Sequence, residues 1–240
     1  MVKDIDFTYF LAALCALAAL AYAVRVATRG VARSERVGRI GGTMMVGQNV
    51  MDWTYWSVEP IVRGLVSLGV TANGLTWSAL VFGVGAGVAL GFDMFGLAAL
   101  LATCSTIGDI LDGQVARLTK TGSNRGELLD AAIDRYTEFA FLAGLAFHYR
   151  DSAALLGLVL AAVLACFMVS YASAKAEAMQ VEAPRGLMRR HERATYLIVG
   201  VAFSSLLGLP VLVVVALAVV GVIGNAAAIL RLVRIGRALR

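Results

Sequence analysis

Seven predominantly apolar runs, each close to the length that crosses a bilayer as a helix, divide this 240-residue chain. They constrain the fold strongly, because backbone groups in hydrocarbon must find hydrogen-bond partners within their own helix or barrel. Hydrophobic residues make up 60% of the chain, against roughly 45–50% in soluble domains. The sequence therefore predicts an all-α integral membrane protein, with spans near 7–25, 74–92, 95–117, 127–148, 153–173, 194–208 and 211–231.

The segment 44–70 has a different character from these spans. It mixes aromatic and charged residues, namely Asp52, Trp53, Tyr55, Trp56, Glu59 and Arg63. Amphipathic aromatic rings prefer the boundary between headgroups and acyl chains, and a mixed helix can lie along that boundary. We therefore expect a juxtamembrane amphipathic helix here.

The distribution of basic residues predicts the orientation. If the N-terminus is outside, all of the 21 lysines and arginines except Lys3, Arg135 and Arg150 fall in cytoplasmic segments or at their borders. Such an excess of positive charge marks the cytoplasmic side. The prediction is a multi-pass protein of the inner (cytoplasmic) membrane, with its C-terminus in the cytoplasm.

The first apolar run has a competing interpretation as a signal peptide, because Ala21-Tyr22-Ala23 resembles a cleavage site. However, Lys3 is offset by Asp4 and Asp6, and the arginine cluster follows the run. A signal peptide has the opposite polarity. We therefore expect an uncleaved span.

Four aspartates stand in a fixed frame inside this apolar sequence. The string from Asp109 to Asp134 reads D-x2-D-G-x2-A-R-x8-G-x3-D-x3-D, with Asp112 and Asp130 as its inner acids. Residues three, four and seven apart share a helix face, and the short link 118–125 favours antiparallel neighbouring helices. The carboxylates are therefore expected to converge at the cytoplasmic ends of spans 3 and 4.

Buried carboxylates need a positive partner, and several observations favour a metal. Only Arg117, Arg125 and Arg135 lie near in sequence, too few to neutralise four acids as ion pairs. Hard oxygen ligands suit Mg²⁺, Mn²⁺ or Ca²⁺ better than zinc. With a guanidinium nearby, such a site suits a phosphate or pyrophosphate substrate. An ion or proton transporter is the alternative, but it leaves Gly113 and Ala116 without a role.

The complete string resembles the signature of the CDP-alcohol phosphotransferases, whose eight fixed positions are all present. The resemblance extends over about 48–231. It implies a six-helix transmembrane core preceded by a juxtamembrane amphipathic helix. We accordingly divide the chain into an N-terminal transmembrane helix with a basic linker, 1–47, and the enzyme domain, 48–240.

The resemblance also implies roles for individual residues. Asp109, Asp112, Asp130 and Asp134 would hold two Mg²⁺ or Mn²⁺ ions, with Asp134 also acting as the general base. The CDP group would lie against a set of small and polar residues, namely Asn73, Thr76, Gly113, Ala116, Arg117 and Gly126. For Asn73 and Thr76, capping of a helix N-terminus is an equal alternative. Family members usually form homodimers.

A later stretch resembles the acceptor-binding region of lipid-headgroup synthases in this family. It runs S-Y-A-S-A-K-A-E from 170 to 177 and continues through Gly186 to R-H-E-R at 190–193. Lys175, Arg190 and Arg193 would hold an acceptor phosphate there. Those enzymes usually carry arginine at the position of Lys175. Lysine keeps the charge but lacks the forked donor geometry of arginine. Anchoring at the membrane border is the simpler alternative for Lys175 and Arg193.

The expected activity is phospholipid biosynthesis: metal-dependent transfer of a phosphatidyl group from CDP-diacylglycerol, or a related CDP-lipid, with release of CMP. The acceptor would be a small polar alcohol such as inositol phosphate or glycerol phosphate. The converse reaction, from a soluble CDP-alcohol such as CDP-choline, CDP-ethanolamine or a CDP-polyol to a lipid hydroxyl, uses the same signature and stays open. Membrane lipids are the expected surroundings, and nucleic acid is not an expected partner.

Overall fold

The computed structural model describes residues 3–31, 47–181 and 186–239, and within those ranges the chain forms helices joined by short turns. The helices are α1 (Asp4–Arg29), α2 (Gln48–Ser67), α3 (Ala72–Gly91), α4 (Phe95–Leu118), α5 (Asn124–His148), α6 (Ala153–Ala178), α7 (Arg190–Leu207) and α8 (Val211–Ala238). Five of these, α1, α3, α4, α6 and α8, are long and apolar enough to cross a membrane. The predicted all-α membrane fold is confirmed.

The other two predicted spans are also helical but carry more charge. Helix α5 has 25 residues and includes the acids Asp130, Asp134 and Glu138. Helix α7 has 18 residues and begins with Arg190-His191-Glu192-Arg193. Helix α2 occupies most of the segment predicted to be amphipathic. Its Val58 and Val62 are buried with Leu111 and Val115 of α4.

Helix α3 is the centre of the packing, because it lies against both α4 and α5. At its crossing with α5 the backbones touch: a Cβ added to Gly87 would lie 2.1 Å from the carbonyl oxygen of Ala140. A Cβ on Gly144 would meet the carbonyl oxygen of Gly87 at the same distance. Only glycine permits so close an approach.

The two helices that carry the aspartates differ from the sequence prediction in one respect. Helices α4 and α5 touch each other only sparsely, and α3 packs extensively against both. Ser105 of α4, for example, donates to the carbonyl oxygen of Ala79 on α3 at 2.8 Å. The short link keeps α4 and α5 near each other, while both helices pack mainly against α3.

Helix α1 is docked on this core at several points. The Asp4 carboxylate accepts from the amides of Gly96 and Leu97, at 2.8 and 3.0 Å, and so satisfies orphan donors at the start of α4. Thr8 donates to Ser205 of α7 at 2.9 Å. Towards its other end, the Ala18 carbonyl accepts from the Trp53 indole of α2 at 3.2 Å. Helix α1 runs unbroken through the segment 21–23 that resembles a cleavage site.

Helix α8 contains one π-helical segment, Val219–Ile223. The side-chain amide of Asn225 donates to the Gly221 carbonyl within this wide turn at 2.6 Å, and to the Ala161 carbonyl of α6 at 2.9 Å. The amide therefore both satisfies the turn and joins α8 to α6. Beyond the segment, Arg231 is buried.

Several predicted features lie outside the described residues. They include most of the basic linker, 32–46, and part of the acceptor stretch, 182–185. The residues that contribute to the predicted charge asymmetry there are Arg33, Arg36, Arg39, Arg185 and Arg240.

Candidate active site

Three of the four signature aspartates converge closely. Asp109 and Asp112 lie in the last turns of α4, and Asp130 lies near the start of α5. One carboxylate oxygen from each of these residues falls within 4.8 Å of the others. Asp112 is buried, and its Oδ2 accepts a hydrogen bond from Thr76 of α3 at 2.6 Å. Helices α3, α4 and α5 therefore meet at one acidic cluster: α4 and α5 supply its carboxylates, and α3 supplies the hydroxyl of Thr76.

Asp134 lies one turn further along α5 and is joined to the cluster by a guanidinium. Arg190, the first residue of α7, contacts Asp109 Oδ2 at 2.9 Å and Asp134 Oδ1 at 2.7 Å. Arg135 lies 3.5 Å from the other oxygen of Asp134. Arg190 was expected to bind acceptor phosphate, and its contact with the two acids was not anticipated, because 56 residues separate it from Asp134 in the sequence.

The donor set fits a divalent cation. The Oδ1 atom of Asp130 is buried and finds no hydrogen-bond partner among the described residues, although a buried acceptor normally has one. Carboxylate oxygens are the ligands that Mg²⁺ and Mn²⁺ prefer. Asp109, Asp112 and Asp130 can therefore hold such an ion, with Asp134 beside them.

The residues predicted to contact CDP lie around the ends of the same helices. Asn73 and Gly126 come together, since a Cβ added to Gly126 would lie 3.8 Å from Asn73 Oδ1. The Arg117 guanidinium lies against Gly113, 3.2 Å from a Cβ built there. Ala116 is half-buried on the same helix. Their roles towards a nucleotide stay predictions.

The capping alternative for Asn73 and Thr76 is wrong in detail. The residue that caps α3 is Thr71, whose hydroxyl accepts from the Gly74 amide at 3.2 Å. Ser123 caps α5 in the same way, accepting from Gly126 at 3.1 Å. Asn73 and Thr76 lie in the first turns of α3, where the Thr76 hydroxyl donates to the Ala72 carbonyl at 3.0 Å as well as to Asp112.

The three predicted acceptor residues lie in very different surroundings. Lys175 is exposed near the end of α6, and Arg190 contacts the acids. Arg193 is fully buried, and its guanidinium donates to both oxygens of Glu138, at 2.9 and 3.0 Å. A third donor of Arg193 reaches the Met188 carbonyl at 2.7 Å. These contacts indicate that Arg193 supports the site from within the protein.

Sequence reasoning missed Glu138, although a signal was available. Glu138 lies four residues after Asp134 and so shares its helix face. Its partner Arg193 lies three residues after Arg190 on α7. Two acid–guanidinium contacts, Asp134 with Arg190 and Glu138 with Arg193, therefore join α5 to α7 one turn apart.

The residues of this site fall within a region that the chain shares with a known protein family. The model of the CDP-alcohol phosphatidyltransferase family matches residues 69–233. The chain belongs to this family. The phosphatidylinositol phosphate synthase of Corynebacterium glutamicum is 34% identical over 167 residues, which span 67% of this chain and 75% of that enzyme.

Solved structures of a phosphatidylinositol phosphate synthase share the fold. The Mycobacterium tuberculosis phosphatidylinositol phosphate synthase with CDP-DAG bound has a TM-score of 0.68 at 25% identity, covering 73% of this chain and 92% of that one. The same enzyme in complex with manganese and citrate has a TM-score of 0.69 at 24% identity, covering 74% and 88%. The family match includes every signature residue from Asp109 to Asp134.

Proposed function

We propose that this membrane enzyme transfers a phosphatidyl group from CDP-diacylglycerol to an inositol phosphate and releases CMP. The observation that carries the proposal is the convergence of Asp109, Asp112 and Asp130 beside Asp134. Phosphatidylinositol phosphate synthases recur among the relatives, and one was solved with CDP-DAG. The predicted lipid donor and phosphorylated acceptor agree with these relatives.

The acidic cluster is proposed to hold divalent metal, Mg²⁺ or Mn²⁺, at a two-ion site. Asp109, Asp112 and Asp130 would be the principal ligands, with Asp134 also at the site. Manganese in the M. tuberculosis relative supports this choice. Metal bound here would supply Lewis-acid neutralisation of the pyrophosphate and of the departing CMP. The hydroxyl of Thr76 orients the Asp112 carboxylate for that purpose.

Asp134 is proposed as the general base. It takes the proton from the acceptor hydroxyl, whose oxygen forms a bond to the phosphorus of the phosphatidyl group. The bond between that phosphorus and the oxygen bridging to CMP breaks, and CMP leaves with the electron pair. Proton transfer by a positioned base contributes about 10²–10⁴-fold to a rate. The position of Asp134 beside the acid cluster and in contact with Arg190 supports this proposal.

Arg190 and Lys175 are proposed to bind the acceptor phosphate. The guanidinium of Arg190 lies 2.7 Å from Asp134, so a phosphate held by Arg190 keeps its own alcohol close to the base. A planar guanidinium suits forked contact with phosphate oxygens. Asn73, Thr76, Gly113, Ala116, Arg117 and Gly126 are proposed to surround the CDP group.

A CMP-release assay of donor and acceptor pairs tests the proposal, with lipid products identified by mass spectrometry. We expect product from CDP-diacylglycerol and inositol phosphate, and none after EDTA treatment. The converse reaction would appear instead as product from CDP-choline, CDP-ethanolamine or a CDP-polyol with a lipid alcohol. Full activity in EDTA would contradict the metal site.

The Asp134→Asn variant tests the base. It keeps the shape of the side chain but cannot accept the proton, so we expect kcat to fall by about 10²–10⁴-fold. Asp151→Asn is the matched control, because Asp151 is 90% exposed in the link between α5 and α6. Equal activity of the two variants would exclude Asp134 as the base.

Two further features belong to this proposal. The enzyme is proposed to lie in the inner membrane with its N-terminus outside and its site facing the cytoplasm, where soluble acceptor and metal are found.

The enzyme is also proposed to form a homodimer. Light scattering would measure the mass of the detergent-solubilised protein and so test the dimer. A monomeric mass would contradict the dimer without affecting the proposed reaction.

A further inference from the structure

Helices α1 and α2 meet through aromatic and cationic side chains. The Trp53 indole of α2 donates to the Ala18 carbonyl of α1 at 3.2 Å, and the ring centroids of Tyr22 and Trp56 lie 5.4 Å apart. The guanidinium carbon of Arg25 lies 6.0 Å from the centroid of the same Trp56 ring. We call this contact, formed by Tyr22, Arg25, Trp53 and Trp56, the α1–α2 junction.

Two buried hydroxyls at the α1–α2 junction lack a hydrogen-bond partner. They are those of Tyr22 and Ser57, which find none in the part of the chain that the structure describes. Ser57 follows Trp53 by four residues and so shares the face of α2 that contacts α1. Buried polar groups are normally hydrogen-bonded, so these two donors indicate an acceptor that the described residues do not supply.

The charge at the junction favours an anion as that acceptor. Arg25 donates to the Gly30 carbonyl at 2.5 Å, which fixes its guanidinium at the end of α1. A guanidinium has five N–H donors, so this bond uses only part of its capacity. The acids of α2 are already engaged: Glu59 pairs with Arg63 at 2.6 Å, and Asp52 is buried and has an interaction partner.

The surface of α1 beside Arg25 suits acyl chains. Ala21, Leu17 and Leu14 precede Arg25 at helical spacing and continue its face, and all three are exposed. The predicted topology places Arg25 at the cytoplasmic border of the membrane, the depth that tyrosine and tryptophan prefer. Anionic lipids of the cytoplasmic leaflet attract basic residues at that depth.

We propose that the α1–α2 junction binds an anionic phospholipid of the cytoplasmic leaflet. The lipid phosphate accepts from Arg25 and Tyr22, Ser57 donates to a second oxygen of the same lipid, and an acyl chain runs along α1 past Ala21. A planar guanidinium suits forked contact with phosphate oxygens. Helices α1 and α2 both precede residue 69, where the family model begins, so the lipid site does not depend on the proposed reaction.

Quenching of tryptophan fluorescence by brominated phospholipid tests the proposal. The chain has three tryptophans, and a Trp77→Phe background leaves Trp53 and Trp56 as reporters at the junction. The protein is reconstituted in phosphatidylcholine vesicles that contain a minor fraction of brominated phosphatidylglycerol or, at the same fraction, brominated phosphatidylcholine. We expect phosphatidylglycerol to be preferred about fivefold, the contribution of one cation at an anionic membrane surface. Equal quenching by the two lipids would overturn the proposal.

Substitutions at the junction identify the groups that bind the lipid. Arg25→Gln should remove most of the preference for phosphatidylglycerol. The matched control Arg234→Gln removes the same charge from an exposed site on α8 and should keep the preference. Tyr22→Phe should lower the preference about threefold, because the hydroxyl donates to a charged acceptor. A preference that survives both junction variants would contradict the site.

Two further outcomes are decisive. If Arg25→Gln fails to fold, Tyr22→Phe still tests the site, because it deletes one hydroxyl and keeps the ring beside Trp56. Relief of the quenching by inorganic phosphate in the buffer would assign the junction to a soluble anion and overturn the lipid proposal.

Discussion

At the scale of single residues, the acids of this site are satisfied to different degrees. Asp112 receives a hydroxyl donor from Thr76, and Asp109 and Asp134 share the guanidinium of Arg190. Asp130 keeps a buried oxygen without a partner among the described groups. The difference suits a metal site, because the least satisfied oxygen gains most from a cation.

The Thr76→Val variant should weaken metal binding. Valine keeps the shape of threonine but removes the hydroxyl donor, so Asp112 loses a hydrogen bond worth about 1–3 kcal/mol when its acceptor is charged. We expect the Mn²⁺ concentration for half-maximal CMP release to rise about tenfold, which corresponds to about 1.4 kcal/mol. Thr76→Ser keeps the donor and should remain near the original value. Equal values for the two variants would show that the hydroxyl is not involved.

Which residues meet at the site was only partly predictable from the sequence. The spacing of Asp109 and Asp112 places them on one face of α4, and the short link 118–125 predicts that Asp130 of α5 lies near that face. The contact of Arg190 depends on how α7 packs against α4, which no local pattern encodes. Long-range ion pairs such as Glu138 with Arg193 are hidden for the same reason.

At the scale of helices, α3 determines how the acidic helices are placed. The close crossing at Gly87 and Gly144 fixes the position of α5 along α3. Near the start of α3, the Thr76 hydroxyl donates to Asp112 of α4. The prediction of antiparallel neighbours was incomplete, because the hydrophobic runs give lengths and not partners. The helical spans themselves were predictable, since length and hydropathy suffice for them.

The Gly87→Ala variant should lose both stability and activity. The added methyl group would overlap the Ala140 carbonyl, and relief of such overpacking costs about 1–3 kcal/mol. We expect a lower thermal unfolding midpoint in detergent, and slower CMP release because α5 carries Asp130 and Asp134. Gly85→Ala is the control on the same helix, since its Cβ would meet only Leu101 Cδ1 at 3.4 Å. A midpoint for Gly87→Ala equal to that of the control would contradict the close crossing.

At the scale of the whole molecule, the N-terminal helix is an attached part of the structure. Asp4 caps α4, and Ala18 accepts from the indole of Trp53, so the two halves of α1 are fixed to different elements. Because the family model begins only at residue 69, the contact of Asp4 with the start of α4 shows how sequence outside it joins the shared core. The domain boundary at residue 47 stays a prediction.

The predicted orientation is testable with single cysteines in a protein whose Cys15, Cys104 and Cys166 are replaced by alanine. In intact bacterial cells, an impermeant maleimide should label Asp151→Cys, which the predicted topology places in an outside link. Arg237→Cys, in the last turn of α8, should react only after permeabilisation, because the positive-inside distribution places it in the cytoplasm. The reverse pattern would invert the topology.

The π-helical turn at Val219–Ile223 means that α8 contains one surplus residue. Since an α-helix advances about 100° per residue, a deletion between Asn225 and Leu230 would swing Arg231 away from Ser173, to which its guanidinium donates at 3.0 Å. A deletion inside the wide turn would instead convert it to ordinary α-helix and leave Arg231 facing almost the same way. The last helix thus tolerates a shorter sequence at one place and not at another a turn away.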